Sequence, residues 1–202
     1  MSKRIAAFLT ISLLIAVGCE IPLGREKEQP HHLPAFPLLE REYTAMRNFL
    51  DANGLQNVAV ESTVTAAEGH VLGINLGEAH LTEIILTKDL DSLHSTVFDL
   101  ALEKNMIQKV SVRDTIRWRY MGIYLWENNL TILPADFGRL TSRINLHLNG
   151  NQIDSIAPEV MSSGISSLDI AGNRLCDVPD TIAQWLDTVS VDKNWRESQV
   201  CD

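Results

Sequence analysis

The chain has 202 residues, 45% of them hydrophobic, and sets 17 Lys and Arg against 26 Asp and Glu for a formal net charge of −9. That length suits one ordinary domain plus processing segments. The acidic balance repels phosphate backbones and excludes nucleic acid as an expected partner.

Lys3 and Arg4 precede an uncharged run at residues 5–17, IAAFLTISLLIAV. The run is too short to span a bilayer comfortably and suits the hydrophobic part of a signal peptide. It ends in AVGC, with small residues before Cys19. This resembles the lipobox of bacterial lipoproteins. The resemblance implies a signal peptide over 1–18, a diacylglyceryl (palmitate-type) modification of Cys19, and attachment to the membrane through N-terminal lipid. Ala16 stands where that family more often has Leu. The alternative is an ordinary secretory signal cleaved near Gly18. Glu20 follows the Cys, and the absence of Asp there favours the outer membrane over the inner within the bacterial cell envelope.

Residues 19–37 form the expected tether, since 20–37 hold four of the seven prolines among mostly polar residues. His31 and His32 have no Cys or carboxylate at ligand spacing and suggest a solvated pair. No metal or other cofactor is expected.

Residues 38–66 are expected to cap the fold. Leu39, Tyr43, Met46 and Leu50 fall on one helical face, Asn53-Gly54 supplies a stop, and Val58 and Val60 alternate as a short strand. About thirty residues bury too little to stand alone.

From residue 67 to 202 one pattern recurs. The copies are VLGINLGEAHL from Val71, VFDLALEKNMI from Val97, YMGIYLWENNL from Tyr120, RINLHLNGNQI from Arg143, ISSLDIAGNRL from Ile165 and LDTVSVDKNWR from Leu186. Asn falls at 105, 128, 151, 173 and 194, and Ala79 takes its place in the first copy. Paired aliphatics such as Leu146 and Leu148 lie two apart, so both point inward from one strand. The Asn amide both donates and accepts, which suits a buried turn.

This pattern is similar to the leucine-rich repeat, LxxLxLxxNxL. Leu133-Pro134 followed by Phe137 and Leu140, and Val178-Pro179 followed by Ile182 and Trp185, match its variable half. The resemblance implies an α/β solenoid with a curved parallel β-sheet on its concave face. Each coil buries its neighbour, so both ends need caps. The N-terminal cap is the helical segment above. At the other end Cys176 and Cys201 remain, in a compartment that permits disulfides. Their pairing resembles the C-terminal caps of extracytoplasmic leucine-rich repeat proteins; the alternative is two buried free thiols.

The repeat register predicts which residues face outward. One column runs Asn75, Ala101, Tyr124, His147, Asp169 and Ser190; the next runs Gly77, Glu103, Trp126, Asn149, Ala171 and Asp192. Tyr124 and Trp126 are thus expected side by side at mid-sheet, as in a binding hot spot. His147, Asn145 and Asn149 lie on the next strand, with Asp99, Glu103, Glu127 and Asp169 around them. Gly73, Gly77, Gly150 and Gly172 are expected to leave other strands bare. The plainer alternative is a solvated face with two incidental aromatics. Arg117, Trp118, Arg119 and Tyr120 form a second candidate contact patch.

No HExxH, GxSxG or phosphate-loop motif is present, and no nucleophile joins His147 and Asp169 in the register. The expected function is therefore a non-enzymatic, lipid-anchored recognition module for a protein ligand, with a glycan as second choice. The alternative is a structural envelope component in which the repeat is a permanently docked spacer.

Overall fold

The computed structural model describes residues 37–93, 98–117, 120–141 and 143–201. The signal segment with Cys19, His31, His32, the tether up to residue 36, Trp118 and Arg119 lie outside the described residues. No helix among the described residues is long and apolar enough to cross a membrane.

Helix α1 (Glu40–Ala52) opens the fold. It buries Ala45, Met46, Phe49 and Leu50, together with Glu42. Leu39 and Tyr43, expected on that face, are instead 44% and 41% exposed. The helix is turned so that Phe49 enters the core, and the turn brings Glu42 inward as well. A buried carboxylate needs donors, and Glu42 has two: His70 Nδ1 at 2.7 Å and the Val71 N–H at 2.6 Å. Asn53 ties the helix end down. Its Oδ1 accepts from the Ile85 N–H at 2.7 Å, and its Nδ2 donates to the Phe49 carbonyl at 2.8 Å.

The expected strand at Val58 and Val60 does not form. Residues Val60–Ser62 make one 3-10 turn. Thr63 Oγ1 donates to the Val60 carbonyl and Ser62 Oγ to the Ala59 carbonyl, so local hydroxyls close a turn where alternation suggested extension.

The strands then follow as β1 (Val64–Ala67), β2 (His70–Asn75), β3 (Glu83–Leu86), β4 (Phe98–Ala101) and β5 (Lys109–Val112). After these come β6 (Tyr120–Tyr124), β7 (Ile132–Leu133), β8 (Arg143–His147), β9 (Ser155–Ile156) and β10 (Ile165–Asp169). Helix α2 (Asp180–Val189) comes last. The main sheet has the order β1-β2-β4-β6-β8-β10. Only β1 runs antiparallel, against β2; every other neighbour is parallel. The fold is thus α/β, with a mostly parallel sheet and two α-helices among the described residues. Two short parallel pairs, β3-β5 and β7-β9, arise from the segments between the main strands.

One hydrophobic core joins these layers. Ile74, Leu100, Ile123, Leu146 and Leu168 enter it from the main sheet, and Ile84, Leu86, Val110, Val112, Leu133 and Ile156 from the short pairs. Full burial of each such side chain contributes about 1.5–3 kcal/mol.

Asn105, Asn128, Asn151 and Asn173 are buried beneath the turns after the strands. Each Oδ1 accepts one N–H from the preceding turn: from Leu81, Ile107, Leu130 and Ile153, at 2.9–3.0 Å. Each Nδ2 donates to a carbonyl of its own turn and to one of the turn before, as Asn128 does to Leu125 at 3.1 Å and Leu102 at 3.0 Å. The direction of these bonds explains Ala79. An Asn serves the turn before it, and the first turn has none to serve.

The last copy departs from expectation. Leu186 to Val189 belong to α2, and only Ser190 bridges to Leu168 of β10. Ser190 is buried and Val191 exposed, the reverse of the predicted phase. Asn194 is exposed. Gln199 takes the ladder position instead: its Oε1 accepts from the Leu175 N–H at 3.2 Å and its Nε2 donates to the Ile170 carbonyl at 3.2 Å. The helix displaces the strand because Ile182, Leu186 and Val189 share a 3–4 spacing directly after Pro179. That spacing suits a helix better than alternation suits a strand.

The free edge of β10 is covered by this terminal segment. The Gly172 N–H donates to the Ser198 carbonyl at 2.9 Å and the Val200 N–H to the Asn173 carbonyl at 2.6 Å. Trp195 is buried under it, its indole N–H donating to Asp187 Oδ1 at 2.9 Å. A disulfide joins Cys176 to Cys201 across a Cα separation of 5.8 Å.

Candidate binding face

Successive residues of a strand alternate between the two faces. With Ile123 and Leu125 wholly buried, Tyr124 and Trp126 must lie on the other side, and both are half-buried there. The register aligns Ala101, Tyr124, His147 and Asp169 in one row. Backbone bonds from Glu78 to Glu103, Lys104 to Trp126, Glu127 to Asn149 and Gly150 to Ala171 align the next. A third row runs Gly73, Asp99, Gly122, Asn145 and Ser167.

The outward side chains contact one another across strands. The Tyr124 ring stacks on the His147 imidazole, with centroids 4.9 Å apart and planes 15° apart. Its hydroxyl donates to Asp99 Oδ1 at 3.3 Å, reaching diagonally to the preceding strand. Gly122 makes that reach possible: a Cβ there would strike Asp99 Oδ1 and lie 3.0 Å from Tyr124 Cε2. Asn145 Nδ2 donates to the Tyr120 hydroxyl. Burial raises the Asp99 carboxyl above its ordinary range, although the Tyr124 hydrogen bond opposes the change. Burial, with the Asp99 charge next, pushes the Tyr124 phenol up to about 12.

At the turn edge the Lys104 ammonium lies 5.2 Å from the centre of the Trp126 ring and 3.6 Å from Glu78 Oε1. Glu78, Lys104 and Glu127 hold φ of 55°, 53° and 54°, in the left-handed region. Gly150 and Gly172, expected on strands, occupy the same turn position with φ of 69° and 66°. Glu127 is exposed on this turn, beside Trp126 rather than on the strand. Asn149 is half-buried next to Trp126 in the second row, and Asp169 Oδ1 accepts from the Ala171 N–H at 3.2 Å. Gly73 and Gly77 are not bare. Asp99 and Glu103 lean over them, and a Cβ on Gly77 would come within 3.0 Å of Glu103 Oε1.

Comparison with protein-family models, with curated proteins and with solved structures finds no match. The chemistry of the face must therefore be taken from its own residues. Among the described residues no group of three or more His, Cys, Asp and Glu is placed to hold a metal ion. His147 meets a phenol ring rather than a nucleophile, and Asp99 meets the phenol hydroxyl. The arrangement presents flat aromatic surface bordered by carboxylates and amides, which suits binding.

Sequence reasoning placed Tyr124, Trp126 and His147 in the right rows but missed the Tyr124–Asp99 bond and the Lys104–Trp126 contact. The sequence YMGIY held the signal for the first: an outward Gly two residues before an outward Tyr leaves space for the ring. Arg117 lies apart from these rows, its N–H donating to Asp91 Oδ1 at 2.9 Å.

Proposed function

We propose that this chain is a non-enzymatic recognition module, built as a leucine-rich repeat solenoid and anchored to the bacterial envelope through lipid on Cys19. It binds a protein ligand on the outward, concave face of its sheet. The stacked Tyr124–His147 pair beside Trp126 carries this reading. Aromatic side chains held half-exposed at the centre of a sheet supply large contact area at low entropic cost. The recurring buried Asn and the inward aliphatics support the repeat assignment, and AVGC supports the anchor.

The test is a crosslinking capture from intact membranes with wild-type chain and with Tyr124→Ala/Trp126→Ala. A partner held by the first and lost by the second supports recognition. A partner held equally by both places the contact elsewhere and favours the docked spacer. Mass spectrometry of the mature N-terminus examines the anchor separately: an unmodified Cys19 removes it.

A further inference from the structure

The outward residues of the face differ sharply in charge sign. Across the three rows stand Asp99, Glu103 and Asp169, while the only basic side chain is His147. Arg143, one outward position before Asn145, and Lys104, at the turn, lie at the margins. Two further observations go beyond this charge pattern. Glu103 Oε2 is shielded from water and has no hydrogen-bond partner. A buried carboxylate oxygen without a donor is costly and is satisfied best by a charged one. In addition, the aromatic surface next to it already accepts a cation, since the Lys104 ammonium sits over Trp126 and beside Glu78. A ring face with a carboxylate at its border attracts ammonium and guanidinium groups through its quadrupole and the adjacent charge.

From this geometry we infer that the face recognises a protein segment bearing lysine or arginine, whose cationic side chain docks between Tyr124 and Trp126 and supplies the donor that Glu103 lacks. Lys104 shows the mode of contact within the chain itself. Asp99 and Asp169 flank the position along the neighbouring rows, and the acidic balance of the whole chain draws a basic segment toward it. This inference rests on the recognition reading above and names the ligand chemistry for the same site.

The probe is a fluorescent octapeptide of alternating lysine and serine, set against the same peptide with every lysine acetylated. Acetylation removes the charge and keeps the length. Binding to the full-length chain in detergent is read by anisotropy at physiological salt. The free-amine peptide should bind at least tenfold more tightly than the acetylated one. Glu103→Gln should weaken it about tenfold with an unchanged melt, and Trp126→Ala should weaken it similarly. Glu61→Gln, an exposed carboxylate on the N-terminal 3-10 turn, should leave it unaltered. Equal binding of both peptides overturns the inference. So does charge-dependent binding that Glu103→Gln and Trp126→Ala leave intact, since that is attraction to the acidic chain as a whole. Membrane capture that depends on the aromatic pair, together with peptides that do not discriminate, would retain the recognition function and remove only the cationic ligand. Capture that ignores the aromatic pair removes both.

Discussion

The ring of Tyr124 lies nearly parallel to the imidazole of His147, one strand away, at 4.9 Å between centroids. An aromatic on a sheet surface can be a free contact group or part of the fold, and this one is partly both. The stack contributes about 0.5–1.5 kcal/mol, and the bond to Asp99 about another 1 kcal/mol. Trp126 has only the Lys104 contact, worth about 0.5–1 kcal/mol at an exposed site.

The two aromatics therefore predict different costs. Trp126→Ala should lower stability by no more than about 1 kcal/mol, and Tyr124→Ala by about 1–2 kcal/mol. Leu125→Ala, which empties a fully buried position between them, should cost about 2–5 kcal/mol. In capture the order reverses: the aromatic variants lose the partner, and Leu125→Ala retains it while folded. Thermal melts beside capture assays check the pair of orders. A Trp126→Ala melt as low as that of Leu125→Ala would mean that the strand faces are assigned backwards.

Tyr124 should also be visible by titration. Its phenol is pushed up to about 12, first by burial and then by the Asp99 charge. The folded state thus keeps a proton that the unfolded chain releases near the ordinary value of about 10. That contribution to stability is complete below about pH 10 and is lost as pH rises toward 12. The absorbance of tyrosinate in wild type minus that in Tyr124→Phe should titrate well above pH 10, and Tyr124→Phe should flatten the alkaline loss of stability. A difference titrating at the ordinary value would show that the ring is neither buried nor beside a charge.

The buried amides allow a sharper contrast. Asn128→Ala strands the Ile107 N–H and the Leu102 and Leu125 carbonyls. At about 1–3 kcal/mol for each unsatisfied buried group, the loss should reach several kcal/mol. Gln199→Ala exposes the Leu175 N–H and Ile170 carbonyl in the same way at the partly open end, for about 1–3 kcal/mol. Asn194→Ala, despite its matching place in the repeat pattern, should change stability by less than about 0.5 kcal/mol, as exposed positions do. Urea melts of the three variants measure this. An Asn194→Ala loss equal to that of Gln199→Ala would restore the simpler sixth copy.

Much of this fold was legible because inward aliphatics and ladder Asn recur at almost constant spacing, and recurrence makes each copy confirm the others. What failed was at the ends, where recurrence stops. In α1 the stripe through Leu39 and Tyr43 looked as good as the one through Ala45 and Phe49. The choice between them depended on Glu42 finding His70 and the Val71 N–H, 28 and 29 residues away. At the other end a side chain one methylene longer, Gln199, replaced Asn from outside the pattern. On the face, rows were predictable from backbone period, but contacts were not. Tyr124 is long enough to cross Gly122 into another row, and Lys104 turns back over Trp126 from a left-handed turn residue.

The Cys176–Cys201 bond closes a sequence separation of 25 residues around α2 and the terminal segment. In the chain-entropy model that closure contributes about 3.5 kcal/mol, an upper-end figure. The terminal segment has other holds, through the Gly172–Ser198 and Val200–Asn173 backbone bonds and through Gln199. The reduced protein should therefore stay folded but melt lower, by roughly 7–14 °C at 2–4 °C per kcal/mol for a domain of this size. The loosening should be local. Amides of Leu175, Val191 and Val200, which bond to or within this segment, should exchange faster after reduction, while that of Ile123, in the middle of the sheet, should not. Cys176→Ser/Cys201→Ser should reproduce both effects without reductant. Thermal melts and hydrogen exchange with and without reductant provide the measurement. Faster exchange spread evenly through the sheet would mean that the bond supports the whole fold rather than its last turn. An unchanged melt would mean that Trp195 and Gln199 close the end without it.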